Sequence, residues 1–198
     1  GWRINFIVMD KNLEKYIIKI ENFLDKDTCK KGIKEIEKSN EWEPHIFHNE
    51  QTRELENLSG KYENDMLTDG SLKLSKKIMD ELWHGIKGYI GSLDMPWFGG
   101  WCGYSLVRYN RYHSKKKMAL HCDHITTLFD GEKRGVPILS CLGVLNDNYE
   151  GGDFIICEDK KINFKTGDLV IFPSSFLYPH KVEPVTKGKR YSFISWVW

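Results

Sequence analysis

The sequence lacks the features of a secreted or membrane-spanning protein. Its five cysteines are odd in number and widely spaced, and no Cys-x-x-Cys pair occurs. That pattern argues against a disulfide framework and favours reduced thiols. No apolar run approaches the roughly 20 residues that cross a bilayer, and the amino terminus has no signal-peptide core. We therefore expect a cytoplasmic protein that makes no membrane contact.

Net charge is also nearly absent, because 29 Lys and Arg residues balance 28 Asp and Glu residues. A formal charge of +1 gives no general attraction to nucleic acid or to an anionic membrane. There is no internal repeat, low-complexity segment or linker, and 198 residues can bury a sizeable core. We predict one domain over residues 1–198, with helical support in about 1–96 and the core in about 97–198.

Two helices are predicted in the first half of the chain. Asp27 can cap the first helix, and Asp69 or Ser71 can cap the second. Residues 40–69 are polar and weakly patterned, which predicts a long loop between the helices. Each helix has one apolar stripe. The stripes consist of Cys29, Ile33 and Ile36, and of Leu74, Ile78, Leu82, Ile86 and Ile90.

The second half alternates short β-branched and aromatic runs with turn residues, which is typical of strands. With a short strand near 16–20, this pattern predicts an α+β fold that is mainly β. The strands of the second half are predicted near residues 103–109, 118–123, 138–145, 153–157, 161–164, 168–172, 180–185 and 190–197.

The tripeptide His121-Cys122-Asp123 carries the clearest chemical signal. On a strand, alternation puts His121 and Asp123 on the same face. With His180 downstream, two imidazoles and a carboxylate could hold one side of an octahedral metal, as in non-haem Fe(II) oxygenases. The tripeptide alone occurs often by chance, and the alternative is a His and an Asp on an exposed strand face.

The segments downstream of this tripeptide form a recognisable succession. They are Leu-Asn at 145–146, Gly-Gly-Asp at 151–153, Lys-Thr-Gly-Asp-Leu-Val-Ile-Phe-Pro at 165–173, Pro-His at 179–180 and Gly-Lys-Arg-Tyr-Ser-Phe-Ile-Ser-Trp at 188–196. Over about residues 100–198, the chain resembles the 2-oxoglutarate/Fe(II)-dependent oxygenases of the prolyl 4-hydroxylase-like branch. The resemblance implies a double-stranded β-helix, or jelly roll, braced by the N-terminal helices.

The resemblance also implies the metal ligands and one side of the co-substrate site. His121, Asp123 and His180 would bind Fe(II) and form the catalytic set. Arg190 would pair with the distal carboxylate of 2-oxoglutarate, supported by Ser192, since a planar guanidinium fits a carboxylate. The alternative for Arg190 is a salt bridge to a protein carboxylate.

Further co-substrate contacts are expected from aromatic residues. Trp196 matches a tryptophan that follows the basic residue of the family, and its alternative is a core aromatic. Tyr109 best matches a tyrosine that points at 2-oxoglutarate. The chain departs from the family at Val144, where prolyl hydroxylases commonly carry a tyrosine. Ser192 or Tyr104 could supply the missing contact.

The resemblance implies hydroxylation of a C–H bond with Fe(II), 2-oxoglutarate, O2 and, as a further reductant, ascorbate, giving succinate and CO2. Peptidyl proline is the leading substrate, and a free amino acid or another small molecule is an alternative. Oxygenases that demethylate nucleic acid usually carry a second arginine soon after the first, but none follows Arg190. A jelly-roll binding module without activity is the non-enzyme alternative.

Two further expectations concern the surroundings of the site. The remaining histidines without partners at ligand spacing are predicted to lie on the surface; they are His45, His48, His84 and His113. Long polar loops are often functional. Residues 40–69 and 124–134 are therefore predicted to border the site and to set specificity through Trp42, Phe47 and Phe129.

Overall fold

Strands dominate the computed structural model, which describes residues 12–45, 63–98, 101–123 and 137–198. In chain order its elements are a 3₁₀ helix (Leu13–Tyr16), β1 (Ile18–Ile20), α1 (Lys26–Ile36), β2 (Glu43–Pro44), β3 (Asp65–Leu67), α2 (Lys73–Ser92), β4 (Arg108–Tyr112), β5 (Met118–His121), β6 (Leu139–Val144), β7 (Glu150–Gly151), β8 (Phe154–Ile156), β9 (Lys160–Ile162), β10 (Leu169–Pro173), β11 (His180–Val182), β12 (Val185–Lys187) and β13 (Arg190–Val197). The predicted mainly β architecture with few helices is confirmed.

Antiparallel pairing builds two principal sheets. The larger has seven strands in the order β1-β10-β6-β13-β4-β3-β2, and the smaller has four in the order β5-β11-β8-β9. Strands β12 and β7 form a separate pair. All eight residues of β13 are buried, and this strand lies between β6 and β4. Most of its side chains are apolar or aromatic, as a central strand requires, and its three polar residues, Arg190, Ser192 and Ser195, are buried as well.

Each face of the large sheet has its own hydrophobic cluster, because side chains alternate along every strand. The helix-side cluster joins the sheet to α1 and α2 and includes Ile36, Leu74, Ile86, Leu169 and Phe193. The inter-sheet cluster joins the large sheet to the small one and includes Val144, Phe154, Phe172, Val182 and Ile194. The buried side chains of the large sheet therefore pack either against the helices or against the other sheet.

The helix caps differ from the prediction. Asp25, not Asp27, caps α1, because its carboxylate accepts a hydrogen bond from the Thr28 backbone N–H at 2.8 Å. The N-cap residue of α2, Leu72, has an apolar side chain that makes no capping hydrogen bond. Instead, the carboxylate of Glu35 on α1 accepts from the backbone N–H groups of Lys73 and Leu74, both at 3.0 Å. A carboxylate on the neighbouring helix thus satisfies the first donors of α2.

The region predicted as a loop over 40–69 contributes strands β2 and β3 to one edge of the large sheet. Strand β4 also differs, since it spans Arg108–Tyr112 instead of the predicted 103–109. Its position is set by pairing with β13 on one side and β3 on the other. Within the described ranges, no helix is long and apolar enough to span a membrane.

Candidate metal centre and co-substrate pocket

The small sheet brings together the three residues of the predicted metal site. His121 ends β5 and His180 begins β11, and these two residues are direct partners in the antiparallel pair. Their rings lie 4.4 Å apart between centroids. Asp123 follows β5, and one ligand atom from each of the three residues lies within 4.8 Å of the others. The three side chains could therefore hold a single metal ion.

Backbone carbonyls fix the orientation of both histidine rings. His121 Nδ1 lies 2.8 Å from the carbonyl oxygen of Ala119, and His180 Nδ1 lies 3.1 Å from that of Tyr178. A carbonyl oxygen only accepts, so each Nδ1 donates, which leaves each Nε2 as the ring atom that could bind a metal. Both Nε2 atoms face Asp123 Oδ1, at 3.3 and 3.5 Å. This is the arrangement expected of metal-binding histidines.

Asp123 is only 4% exposed, yet its surroundings favour the carboxylate form. Burial raises the pKa of Asp123, but the charges and hydrogen bonds of His180 and His121 outweigh this and hold it well below its usual range. Burial lowers the pKa of His180, and the charge of Asp123 more than reverses this. The Ser140 hydroxyl donates to Asp123 Oδ2 at 2.6 Å. Two imidazole nitrogens and one buried, oriented carboxylate fit a divalent iron.

Arg190 is fully buried and has unused hydrogen-bonding capacity. Its Nη1 donates to the Ser192 hydroxyl at 2.9 Å, but Nε and Nη2 have no hydrogen-bond partner among the described residues. Among the residues that the structure describes, no carboxylate forms a salt bridge with Arg190, so the alternative of a protein ion pair is not observed. A buried, unpaired guanidinium is costly. The arrangement fits the carboxylate of a bound 2-oxoglutarate.

The structure does not bring Tyr109 to this pocket. Tyr109 lies opposite Phe193 and belongs to the helix-side cluster, where its hydroxyl is 2.8 Å from Ser75 Oγ. Three residues later, Tyr112 has the opposite strand parity and lies directly across from Arg190, with the guanidinium 5.0 Å from its ring. Tyr112, and not the predicted Tyr109, therefore lies beside Arg190. If β4 had been predicted to extend beyond residue 109, side-chain alternation would have placed Tyr112 on the face opposite to Tyr109.

The neighbours of Val144 and Trp196 also differ in part from expectation. Val144 is buried opposite Ser192, so the departure from the family pattern lies next to the Arg190 pocket. Tyr104 does not fill that place, because its hydroxyl donates to the Met79 carbonyl on α2. Trp196 is 7% exposed and pairs across the sheet with Ser140, the residue that donates to Asp123. Trp196 therefore lies beside the metal end of the site.

The prediction that His45 lies on the surface is wrong, because this residue is half-buried. Burial, with the nearby positive charges of Arg108 and His121, lowers the pKa of His45 to about 3. Trp42 packs against the helix-side cluster, and its indole N–H donates to the Ile36 carbonyl at 3.1 Å. The predicted roles of His48, Phe47, Phe129 and the 124–134 segment fall outside the described residues.

The mainly β fold and the His-Asp-His cluster are the combination expected of a non-haem Fe(II) oxygenase. Residues 107–198 match the family described as the 2OG-Fe(II) oxygenase superfamily. The match implies Fe(II), 2-oxoglutarate and O2 as the metal and co-substrates.

Curated relatives match slightly less than half of the chain. A PKHD-type hydroxylase of Xylella fastidiosa (strain M12) is 35% identical over 100 residues, which cover 46% of this chain and 43% of the relative. A PKHD-type hydroxylase of Idiomarina loihiensis is 33% identical over 94 residues, which cover 46% of this chain and 41% of the relative. The chain thus matches less than half the length of these relatives.

Solved structures extend the likeness to most of the chain. A prolyl hydroxylase from Trichoplax adhaerens, solved with a hypoxia-inducible factor peptide, has a TM-score of 0.67 and 17% identity and covers 92% of this chain and 83% of its own. The viral collagen prolyl hydroxylase of Paramecium Bursaria Chlorella virus-1 has a TM-score of 0.62 at 17% identity, with coverage of 92% and 94%. At these identities, the likeness establishes the fold.

Proposed function

We propose that this chain is an Fe(II)- and 2-oxoglutarate-dependent dioxygenase that hydroxylates a C–H bond, with peptidyl proline as the leading substrate. The observation that carries the proposal is the convergence of His121, Asp123 and His180 on one point, with an unpaired, fully buried Arg190 in the same interior. The two principal sheets would form a double-stranded β-helix, and residues 1–198 would form one domain.

Each polar residue has a separable role in this proposal. The Nε2 atoms of His121 and His180 and the carboxylate of Asp123 would hold Fe(II). The Nδ1–H bonds to backbone carbonyls keep both rings in the tautomer that binds metal. The hydrogen bond from Ser140 restrains the Asp123 carboxylate, so that one of its oxygens stays directed at both imidazoles.

Arg190 would bind the distal carboxylate of 2-oxoglutarate through its unused Nε and Nη2 atoms. Ser192 accepts from the third side of the guanidinium and fixes its orientation, while the Tyr112 ring supports its face. The chemistry supplied by bound Fe(II) and 2-oxoglutarate is activation of O2 coupled to decarboxylation of the keto acid. The apolar walls around these residues would exclude water, which strengthens the charged contacts.

A peptide substrate is supported by likeness alone. The curated relatives are named PKHD-type hydroxylases, and the structural neighbours include a prolyl hydroxylase solved with a peptide. A proline ring presents unactivated C–H bonds and no charge, so the remaining contacts of a peptide would have to position it. The same site could serve a free amino acid, which a screen must include.

The test is a turnover assay on the Fe(II)-loaded protein with 2-oxoglutarate, proline-containing peptides and free amino acids. Succinate release and a gain of one oxygen on a defined residue, read by mass spectrometry, are expected for the wild type. His180→Ala should abolish both, whereas His84→Ala, which changes an exposed histidine of α2, should abolish neither. Wild-type succinate production by His180→Ala, or no succinate from the wild type, would refute the proposal.

A further inference from the structure

A second arginine, Arg108, faces the same interior as Arg190. Arg108 lies on β4 directly opposite Ile194 of β13, which belongs to the inter-sheet cluster. Its guanidinium lies 5.0 Å from the ring of Trp196. Trp196 in turn pairs with Ser140, the residue that donates to Asp123. Arg108 is therefore placed towards the metal end of the site.

The two arginines serve different parts of this interior. Arg190 pairs with Tyr112, which lies four residues after Arg108 on the same strand. At about 3.3 Å per residue, the backbone positions of Arg108 and Arg190 are therefore roughly 13 Å apart along the strand direction. Ser192 and Tyr112 support the Arg190 guanidinium, whereas the Arg108 guanidinium lies against the ring of Trp196. One small dicarboxylate held by Arg190 at its far end would leave Arg108 available.

Arg108 is not neutralised by an ion pair in the described part of the chain. Its Nε is buried without a hydrogen-bond partner, and no described carboxylate forms an ion pair with it. Asp123 raises the pKa of Arg108 through its charge, but burial is the larger effect and lowers it. The carboxylate of Asp123 is already in contact with His121, His180 and Ser140. The nearby His45 stays neutral, because its pKa falls to about 3.

Stacking on Trp196 determines which part of Arg108 can bind a ligand. A guanidinium over an indole uses its face, while its N–H groups point outward from its edge. That edge is suited to a carboxylate, which can accept two parallel hydrogen bonds. A cation that holds a buried, unused donor, as Arg108 does at Nε, is costly unless an anion pairs with it.

We propose that Arg108 binds a carboxylate of the substrate, so that this chain selects a target that carries an acidic group close to the hydroxylated carbon. The inference rests on the proposed function and adds the substrate class to it. The carboxylate could belong to an acidic side chain, to a peptide C-terminus or to a free amino acid. All three present the same group to Arg108.

Direct binding separates this inference from the proposed function. The probes are proline tetrapeptides with Asp or Asn beside the proline, each with a free or an amidated C-terminus, and free proline. Calorimetry without O2 on protein loaded with Fe(II) and 2-oxoglutarate gives affinities that do not depend on turnover. The wild type should bind at least one carboxylate probe about 10- to 100-fold more tightly than its uncharged counterpart. The Asp peptide, the free C-terminus or free proline then identifies the source.

Arg108→Gln should remove that preference, and Arg108→Lys should retain part of it, because a lysine keeps the charge without the planar fork. Arg111→Gln is the matched control. Arg111 is on the opposite face of β4 and is paired with Glu37 at 2.8 Å and Asp65 at 3.2 Å, so its loss should leave the preference intact. Thermal melts of each variant establish that it folds.

Equal wild-type binding of charged and uncharged probes, or no binding of any probe, would overturn the assignment. So would an Arg108→Gln variant that keeps the preference. A loss of 2-oxoglutarate affinity as large as that in Arg190→Ala would also overturn it, since Arg108 would then belong to the co-substrate pocket. Arg108-dependent binding without any succinate formation would instead retain the inference and refute the proposed function.

Discussion

At the residue scale, the candidate centre depends on partners that restrain each ligand. Ser140 is the least obvious of these, because a serine in a run of apolar residues on β6 carries no recognisable motif. Its hydroxyl is buried, lies 2.8 Å from that of Ser174 and donates to Asp123. Three-dimensional pairing alone reveals this role.

Replacing Ser140 with Ala should weaken Fe(II) binding by about 10- to 100-fold, because a partner of a metal ligand is lost. The protein should still fold, since the substitution removes a single oxygen atom. Metal titration without O2 measures the affinity. Ser71→Ala, which alters an exposed serine bonded to Asp69, is the control. Equal affinities of wild type and Ser140→Ala would show that the hydroxyl does not support the ligand.

The two tyrosines of β4 give a second test at this scale. Tyr112→Leu removes the ring beside the Arg190 guanidinium and should raise the Kd for 2-oxoglutarate by about 3- to 30-fold. Tyr112→Phe keeps the ring and should have a smaller effect. Tyr109→Phe removes the Ser75 contact and should lower stability without altering co-substrate affinity. A larger loss of 2-oxoglutarate affinity in Tyr109→Phe than in Tyr112→Leu would reverse this assignment.

At the scale of elements, periodicity predicted both helices and most strands near their observed positions. The α2 residues Leu74, Ile78, Leu82 and Ile86 are buried, as the predicted stripe requires. The β2 and β3 strands escaped prediction because each is only two or three residues long and depends on pairing at the sheet edge. Such short strands have too little pattern of their own.

The cap of α2 was unpredictable for a related reason, since Glu35 is far from that helix in sequence. Glu35→Gln should lower the free energy of unfolding by about 1 kcal/mol, because the carboxylate bonds two backbone donors at a helix N-terminus. Chemical denaturation measures the change. The exposed Glu41→Gln is the control. An unfolding midpoint identical to that of wild type would show that Glu35 contributes no net capping energy.

At the scale of the whole molecule, the site forms where distant segments meet. His121 and His180 are 59 residues apart in sequence, yet antiparallel pairing of β5 and β11 makes them direct neighbours. Alternation predicted that His121 and Asp123 share a face, and the resemblance pointed to His180 and Arg190. Neither source could indicate Arg108 or His45, because their relation to the site depends on the packing of the large sheet against the small one.

Metal and co-substrate are expected to bind to separate sets of residues in one pocket. The decisive measurement is a titration of the protein with Fe(II) and then with 2-oxoglutarate, without O2, in wild type, His180→Ala and Arg190→Ala. Wild type should bind both. His180→Ala should lose most bound iron, since two ligands cannot define the centre.

Arg190→Ala should keep its iron and lose about 2–5 kcal/mol of 2-oxoglutarate binding, because a buried charged contact disappears. Lys187→Ala, which removes an exposed cation from the nearby β12, should resemble wild type. Wild-type iron binding by His180→Ala, or wild-type 2-oxoglutarate affinity in Arg190→Ala, would contradict the account.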